Sequence, residues 1–464
     1  MLTKRNLIAG LLAITLLAPQ LQGQDTAPKP SYTLIKNVKI FDGVNDRLKP
    51  GHVLIENNLI KQVGDIKTFP KGTTIIDGGG RTLMPGLIDS HSHFNLTGLV
   101  QTPAALQAAK WDQVGPIAAE NARDYLYDGY TTVRDAGGMG GALGELIDRG
   151  ILQGPRIYAS GAFIGPSSGH GDFRNPSSRV PGGQPPLSRT LGISYVSDTK
   201  AEIRKAARLN FSHGATQLKL MAGGGLASQL DPLWSVAYSV DEMKVAVEAA
   251  KFFDTYVLVH AYTDEQVNIA LDAGVKCIDH GQMVSEKTVK RMVDEGIFWS
   301  INVAAMDPAL LNHPNFSSPA VKPKVLSFQE GSKRMWDLIK KHKPKVVHNI
   351  DTVLSTIEFG RSSRDFEKFY FAKGLGNHAM LVSATSTAGE LAQLTGKRNP
   401  YPHKLGVIEA GAYADILIVD GNPLEDLSVL GANPKWFDAK PRKQGLKTIR
   451  LIMKDGKVYK NTLK

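Results

Sequence analysis

At 464 residues, with 42% hydrophobic and 21% charged residues, the chain is too long for one small core and has the composition of an ordinary globular protein. The formal net charge of +11 comes from scattered lysines and arginines, densest at Lys340 to Lys345. No aromatic-interleaved basic stripe accompanies it, which argues against nucleic acid as a partner. The single cysteine, Cys277, excludes an intrachain disulfide and a thiolate-rich metal site.

The N-terminus has Lys4 and Arg5, then an apolar run over 7–18, then Pro19 and polar residues. This is the pattern of a secretory signal peptide over 1–24, with cleavage near Gly23 or Gln24. The run is too short to span a bilayer comfortably. The mature chain is therefore expected outside the cytoplasm, periplasmic or secreted, with no stable membrane span once the leader is removed. Short strands are predicted at 32–35, 38–41, 52–55 and 59–63, with turns at Asp42-Gly43 and Glu56-Asn57-Asn58. Such a set is too small to be stable alone. Its expected partner lies at the other end of the chain, in a strand within 411–421 and a hairpin over 449–459 turned by Asp455-Gly456.

Between these ends, short apolar strands alternate with helical stretches, the pattern of a parallel α/β sheet. Strands are expected at 88–93, 131–135, 157–164, 217–221, 256–262, 277–280, 299–303 and 346–351, with helices including 241–252 and 263–273. Eight strands are the number that closes a (β/α)8 TIM barrel. The expected organisation is a signal peptide over 1–24, half of a β-sandwich over 25–84, the barrel over 85–404 and the other half of the sandwich over 405–464. Residues 165–190, rich in Gly, Pro and Ser, follow the third strand and read as a lid over the carboxyl face, with plain disorder as the alternative.

The chemistry starts from Leu83-Met84-Pro85-Gly86-Leu87-Ile88-Asp89-Ser90-His91-Ser92-His93. On a strand, residues i and i+2 share a face, so His91 and His93 aim at one point. Neutral imidazole suits a borderline ion such as zinc. An isolated His-x-His is more often a hydrogen-bonded pair at a strand edge; the context changes that here. The run resembles the first metal-binding strand of the amidohydrolase superfamily, a set of metal-dependent (β/α)8-barrel hydrolases. In such a barrel only residues at the carboxyl ends of strands matter for the site.

Those residues are Lys219 before Gly223-Gly224-Gly225, His260, His280 and Asp351. Singly, each has an ordinary explanation: a lysine snorkelling to the surface, a satisfied core histidine, a turn or N-cap aspartate. Together they match the binuclear class of the superfamily. The set is closest to the imidazolonepropionase-like branch, which includes Xaa-Pro and other dipeptidases, and Asn399-Pro400-Tyr401-Pro402-His403-Lys404-Leu405-Gly406 resembles that branch too. The chain departs from it at Asn349-Ile350-Asp351, where relatives carry Gly-Thr-Asp.

The resemblance implies two divalent metal ions, zinc being expected. His91, His93 and Asp351 would hold one and His260 and His280 the other, bridged by Lys219 carboxylated by CO2. It implies hydrolysis of an amide bond in a small molecule, a dipeptide or N-acyl amino acid, by metal-activated hydroxide with Asp351 as proton acceptor. A cyclic amide, or a metal-stabilised barrel with little activity, is the alternative. Tyr262, on the face of His260, would donate to an oxyanion or pack at the rim. His170 and Arg174, from their position on the long loop, would bind a substrate carboxylate. His213 and His348 read as ordinary histidines. Oligomeric state stays open, homo-oligomers included.

Overall fold

The central strands are covered on both sides: Val257–Ala261, Cys277–His280 and Phe298–Ile301 are buried at every position. Strands covered on both faces belong to parallel sheets flanked by helices. The computed structural model describes residues 30–99, 104–174, 187–228 and 231–463. The expected leader over 1–24 and residues 175–186 of the expected lid lie outside the described residues.

In chain order the strands are β1 (Tyr32–Ile40), β2 (Lys49–Glu56), β3 (Leu59–Gly64), β4 (Thr74–Asp77), β5 (Thr82–Pro85) and β6 (Leu87–Ser92). Then come β7 (Tyr130–Asp135), β8 (Arg156–Ala159), β9 (Phe163–Gly165), β10 (Ser194–Val196), β11 (Leu218–Met221) and β12 (Val257–Ala261). The last are β13 (Cys277–His280), β14 (Phe298–Ile301), β15 (Lys345–His348), β16 (Ile416–Val419), β17 (Ile449–Lys454) and β18 (Lys457–Asn461). Three sheets result. One has the order β6-β7-β8 and another β10-β9-β11-β12-β13-β14-β15, and every pairing within these two is parallel. The third joins the two ends of the chain in the order β18-β17-β16-β5-β1-β2-β3, with β4 beside β1. Among the described residues, no helix is long and apolar enough to cross a membrane.

Three expectations are corrected. The two strands expected at 32–35 and 38–41 are one, β1, whose register slips between Ile35 and Val38, where Asn37 takes a left-handed φ of 55°. The third central strand, expected over 157–164, breaks into β8 and β9, which belong to different sheets. Asn210, on the helix Lys200–Ser212, causes the break: its amide accepts from Ala162 N at 2.9 Å and donates to Ala162 O at 2.7 Å, replacing the ladder. The last expected strand, 346–351, ends at His348, and Asn349 to Asp351 leave it as a turn.

Helices begin where the sequence caps them. Thr199, Ser239 and Thr263 each accept from the amide three residues on, and Glu202, Glu242 and Gln266 return the bond. Gln266 does more: its Oε1 also takes Tyr262 N at 2.7 Å, while its Nε2 donates to Leu233 O and Ser235 O. One cap thus fixes the loops after both β11 and β12. At the chain ends, Asp455 (φ 56°) and Gly456 (φ 71°) form the tight turn of the β17–β18 hairpin, where both central residues must be left-handed.

The terminal sheet is tied to the central strands by a buried ion pair. Arg156 of β8 donates through Nε to Asp415 at 3.0 Å, and its guanidinium lies 3.8 Å from the Tyr413 ring centroid. Both charges are almost wholly buried. Arg156→Leu is expected to lower stability by about 3–5 kcal/mol, because Asp415 would keep its charge without a partner. The midpoint of urea denaturation measures this, and a shift of under about 1 kcal/mol would show that the contact is not needed.

Candidate metal centre

β6 delivers His91 and His93 to the same face, and their Nε2 atoms stand 3.1 Å apart. Each ring is held from behind. His93 Nδ1 is 2.7 Å from the carbonyl of Gly137. A carbonyl only accepts, so Nδ1 carries a proton and Nε2 is the nitrogen turned inward, toward Asp351. His280 Nδ1 meets Asn302 Oδ1 at 2.8 Å, and that oxygen also takes Gln282 Nε2 at 3.1 Å, which identifies it as an acceptor. His91 Nδ1 lies 2.8 Å from Oδ2 of Asp279. Three imidazole nitrogens therefore converge.

Asp351 completes the cluster. Its Oδ1 is 3.4 Å from His91 Nε2 and 3.5 Å from His93 Nε2, and its Oδ2 is 3.9 Å from His280 Nε2. Two of these residues sit in strained backbone: φ is 74° at His280 and 49° at Asp351. Trp299 Nε1 donates to the His280 carbonyl at 2.5 Å, and Asp351 N donates to His91 O at 3.0 Å, so neighbours hold both. The turn is further fixed by Asp89, whose Oδ1 accepts Ile350 N at 3.2 Å and His91 N at 3.0 Å. The departure at Asn349-Ile350 thus leaves the Asp351 carboxylate directed at the imidazoles.

Burial pushes the His91 imidazole down to about 3, with the Lys219 charge adding to it, and lowers His260 and His280 for the same first reason. Burial would raise Asp351, but His91, His93 and His280 outweigh it and hold the carboxyl well below its usual range. Burial would lower His93 as well, but Asp351 outweighs it and raises this imidazole. Imidazoles around a carboxylate, each with one nitrogen turned inward, are a donor set that fits a divalent ion such as zinc. Among the described residues, His91, His280 and Asp351 each present a ligand atom within 4.8 Å of the others.

The remaining sequence-derived residues are close by but differently engaged. Lys219 is buried on β11 and its Nζ donates to Asp279 Oδ2 at 2.8 Å, on the Nδ1 side of His91. Burial lowers its pKa. His260 packs against His280 with ring centroids 4.5 Å apart, while its Nε2 meets the Gly224 carbonyl at 3.0 Å. Tyr262 stacks on His280 at 5.0 Å and lines the cavity above the cluster, and burial raises its phenol well above the ordinary value, keeping its proton. His170 stacks on His260 at 4.3 Å, with Nδ1 3.2 Å from Asp231. Arg174 also lines the cavity, but its Nε and Nη2 each reach Asp172 at 2.7 Å, so it arrives as half of an ion pair. His348 lies in the interior, 3.3 Å from the Tyr130 hydroxyl.

Sequence reasoning missed Asp279, which has no exposed surface. It takes Arg134 Nη2 at 2.7 Å as well as Lys219 and His91. A carboxylate inside the wholly buried Cys277–His280 strand was the available signal. Asp89 and Asn302 escaped notice as well; they bond main chain, a ring nitrogen or a side-chain amide and carry no spacing of their own.

The amidohydrolase family profile matches residues 82–360. Ochratoxinase of Aspergillus niger is 25% identical over 450 residues, which cover 92% of this chain and 86% of that protein. The crystal structure of an amidohydrolase superposes with a TM-score of 0.82 at 29% identity, covering 94% of this chain and 100% of the other. A prolidase complexed with N-methylphosphonate-L-proline gives a TM-score of 0.80 at 30% identity, over 93% and 100% of the two chains.

Asp279→Asn is expected to weaken divalent-ion affinity by about 10–100-fold, since His91 loses the carboxylate behind it. Zinc titration against a chromophoric chelator reads this, and unchanged affinity would mean that His91 is aligned without Asp279.

Proposed function

The chain belongs to the amidohydrolase family and is a hydrolase acting on C–N amide bonds, and we propose that it cleaves a dipeptide or N-acyl amino acid with two divalent ions, zinc in the first place. The observation that carries this is the convergence of His91, His93 and His280 on Asp351, which lies at the floor of a cavity of about 380 Å³. His91, His93 and Asp351 would hold one ion and His260 and His280 the other. Lys219, its ammonium disfavoured by burial, would have to leave Asp279, give up a proton and add CO2 as the free amine with release of a second proton, and the resulting carbamate would supply a further oxygen ligand. Once bound, the ions would supply a hydroxide at neutral pH and polarise the amide carbonyl.

The chain's own groups do the rest. Asp351 accepts the proton of the attacking water and passes it to the leaving nitrogen. Tyr262, protonated and edge-on to His260, donates toward the developing oxyanion. A substrate carboxylate that sought Arg174 would have to compete with the bidentate Asp172, and one that sought His170 with Asp231 at 3.2 Å.

We further read the two parallel sheets as one (β/α)8 barrel. Supporting this are Asp351 N to His91 O at 3.0 Å, which bridges from beyond β15 to β6, and Thr216 N to Ala159 O at 2.7 Å, between the approach to β11 and the end of β8. The terminal sheet would be the composite sandwich beside it, and the leader over 1–24 would place the mature protein in the periplasm or outside the cell.

The test is a panel of dipeptides and N-acyl amino acids assayed with zinc and bicarbonate, with and without chelator. Hydrolysis should vanish on chelation and return with zinc, and Asp351→Asn should cut kcat by about 10²–10⁴-fold. Absence of turnover, with a melting temperature that still falls on chelation, would leave a metal-stabilised fold in place of the enzyme.

A further inference from the structure

The cavity has two unlike walls. His93, His260 and Asp351 form its polar floor, while one side is made by Phe316, Phe359, Trp436 and Phe437. Three of these rings form a layered array: Phe359 and Phe437 are 5.3 Å apart at 18°, and Phe437 and Trp436 are 4.2 Å apart at 23°. All four are only half-buried. Aromatic surface held against an open cavity is apolar area with a gain still to be made by a guest.

The array is anchored from behind. Trp436 Nε1 donates to Ser363 Oγ at 3.0 Å, and its ring is backed by Phe366 at 5.0 Å and 12°. The segment that carries it is fastened on both sides. Asn433 N donates to the carbonyl of Asp365 at 3.1 Å, and Arg442 pairs with Asp128 and Asp365 at 2.8 Å each. Phe316 and Phe359 come from the central part of the chain. Trp436 and Phe437 come from the connection between β16 and β17, beyond the residues 82–360 that the family profile matches. Part of the wall is therefore supplied by the terminal portion of the chain, beyond the span of the family profile.

We propose that this wall is the specificity determinant and that the substrate carries a flat aromatic ring system on one side of the scissile amide, seated against Phe359, Trp436 and Phe437. The amide part of this rests on the function proposed above; the ring recognition can be read without turnover. A planar group stacks on rings already aligned and rigid, so little conformational freedom is lost on binding. An acetyl group would leave the same surface in contact with water.

The experiment compares N-(2-naphthoyl)glycine and glycyl-2-naphthylamide with N-acetylglycine and glycylglycine, using the zinc-loaded full chain. One naphthyl compound should exceed its small counterpart in kcat/KM by about 10–100-fold. Phe437→Ala should collapse that ratio by about tenfold, and Phe437→Tyr, which keeps the ring, should restore most of it. Binding of 2-naphthoate, followed by calorimetry, should weaken in parallel. Equal rates for naphthyl and small substrates, or a Phe437→Ala loss shared equally by both, would overturn the proposal. If nothing is hydrolysed, the proposed function fails and 2-naphthoate decides alone. Binding that Phe437→Ala weakens and Phe437→Tyr preserves supports the wall; absent binding, or binding indifferent to either variant, overturns it.

Discussion

One buried carboxylate organises the interior. Asp279 receives Arg134 from β7, Lys219 from β11 and the rear of His91 from β6, so four strands meet at a single side chain. None of these charges can be solvated, and each would be prohibitive alone. Burial would raise the Asp279 carboxyl, but Arg134 and Lys219 together hold it well below its usual range. The anion is thus fixed as an anion, and its position fixes those around it. His91 can turn only one nitrogen inward because the other faces Asp279. Burial lowers the pKa of Lys219, and Asp279 opposes that shift.

Strain is concentrated at the same rim. Left-handed backbone at His280 and Asp351 is unusual for such residues and persists because Trp299, Gly281 and the His91 carbonyl leave no alternative. At Gly281, φ is 68° and a Cβ would come within 2.7 Å of Trp299 Nε1, so the turn that aims His280 accepts only glycine next to it. The geometry of the cluster is therefore imposed by main chain and packing before any ligand is considered.

Much of this was legible in the chain. Apolar runs between capped helices gave the strands, and a carboxyl-end rule selected His91, His93, Lys219, His260, His280 and Asp351 from the other titratable residues. What stayed hidden has a common physical character. Gly137 O and Gly224 O orient imidazoles, yet a carbonyl is present at every residue and leaves no mark in the sequence. The β8–β9 break depends on Asn210, distant in the chain, and the pairing of Arg174 with Asp172 on a loop conformation. Asp279 was overlooked because its neighbour His280 already explained the strand. The aromatic wall draws on positions far apart in sequence, and periodicity detects only what is local.

The joining of the two chain ends has a consequence for biosynthesis. Met84 of β5 pairs with Leu417 of β16, so the opening strands have no neighbour on that side until almost the whole polypeptide has been made. Long-range pairing of this kind is slow, and a bare sheet edge invites association while it waits. Ribosomal release of a chain cut short before β16 would accordingly yield more than a slightly smaller protein: it would strand an adhesive edge, with Arg156 lacking the carboxylate of Asp415 that compensates its charge. Quality control of this molecule is thereby vested in its final segment.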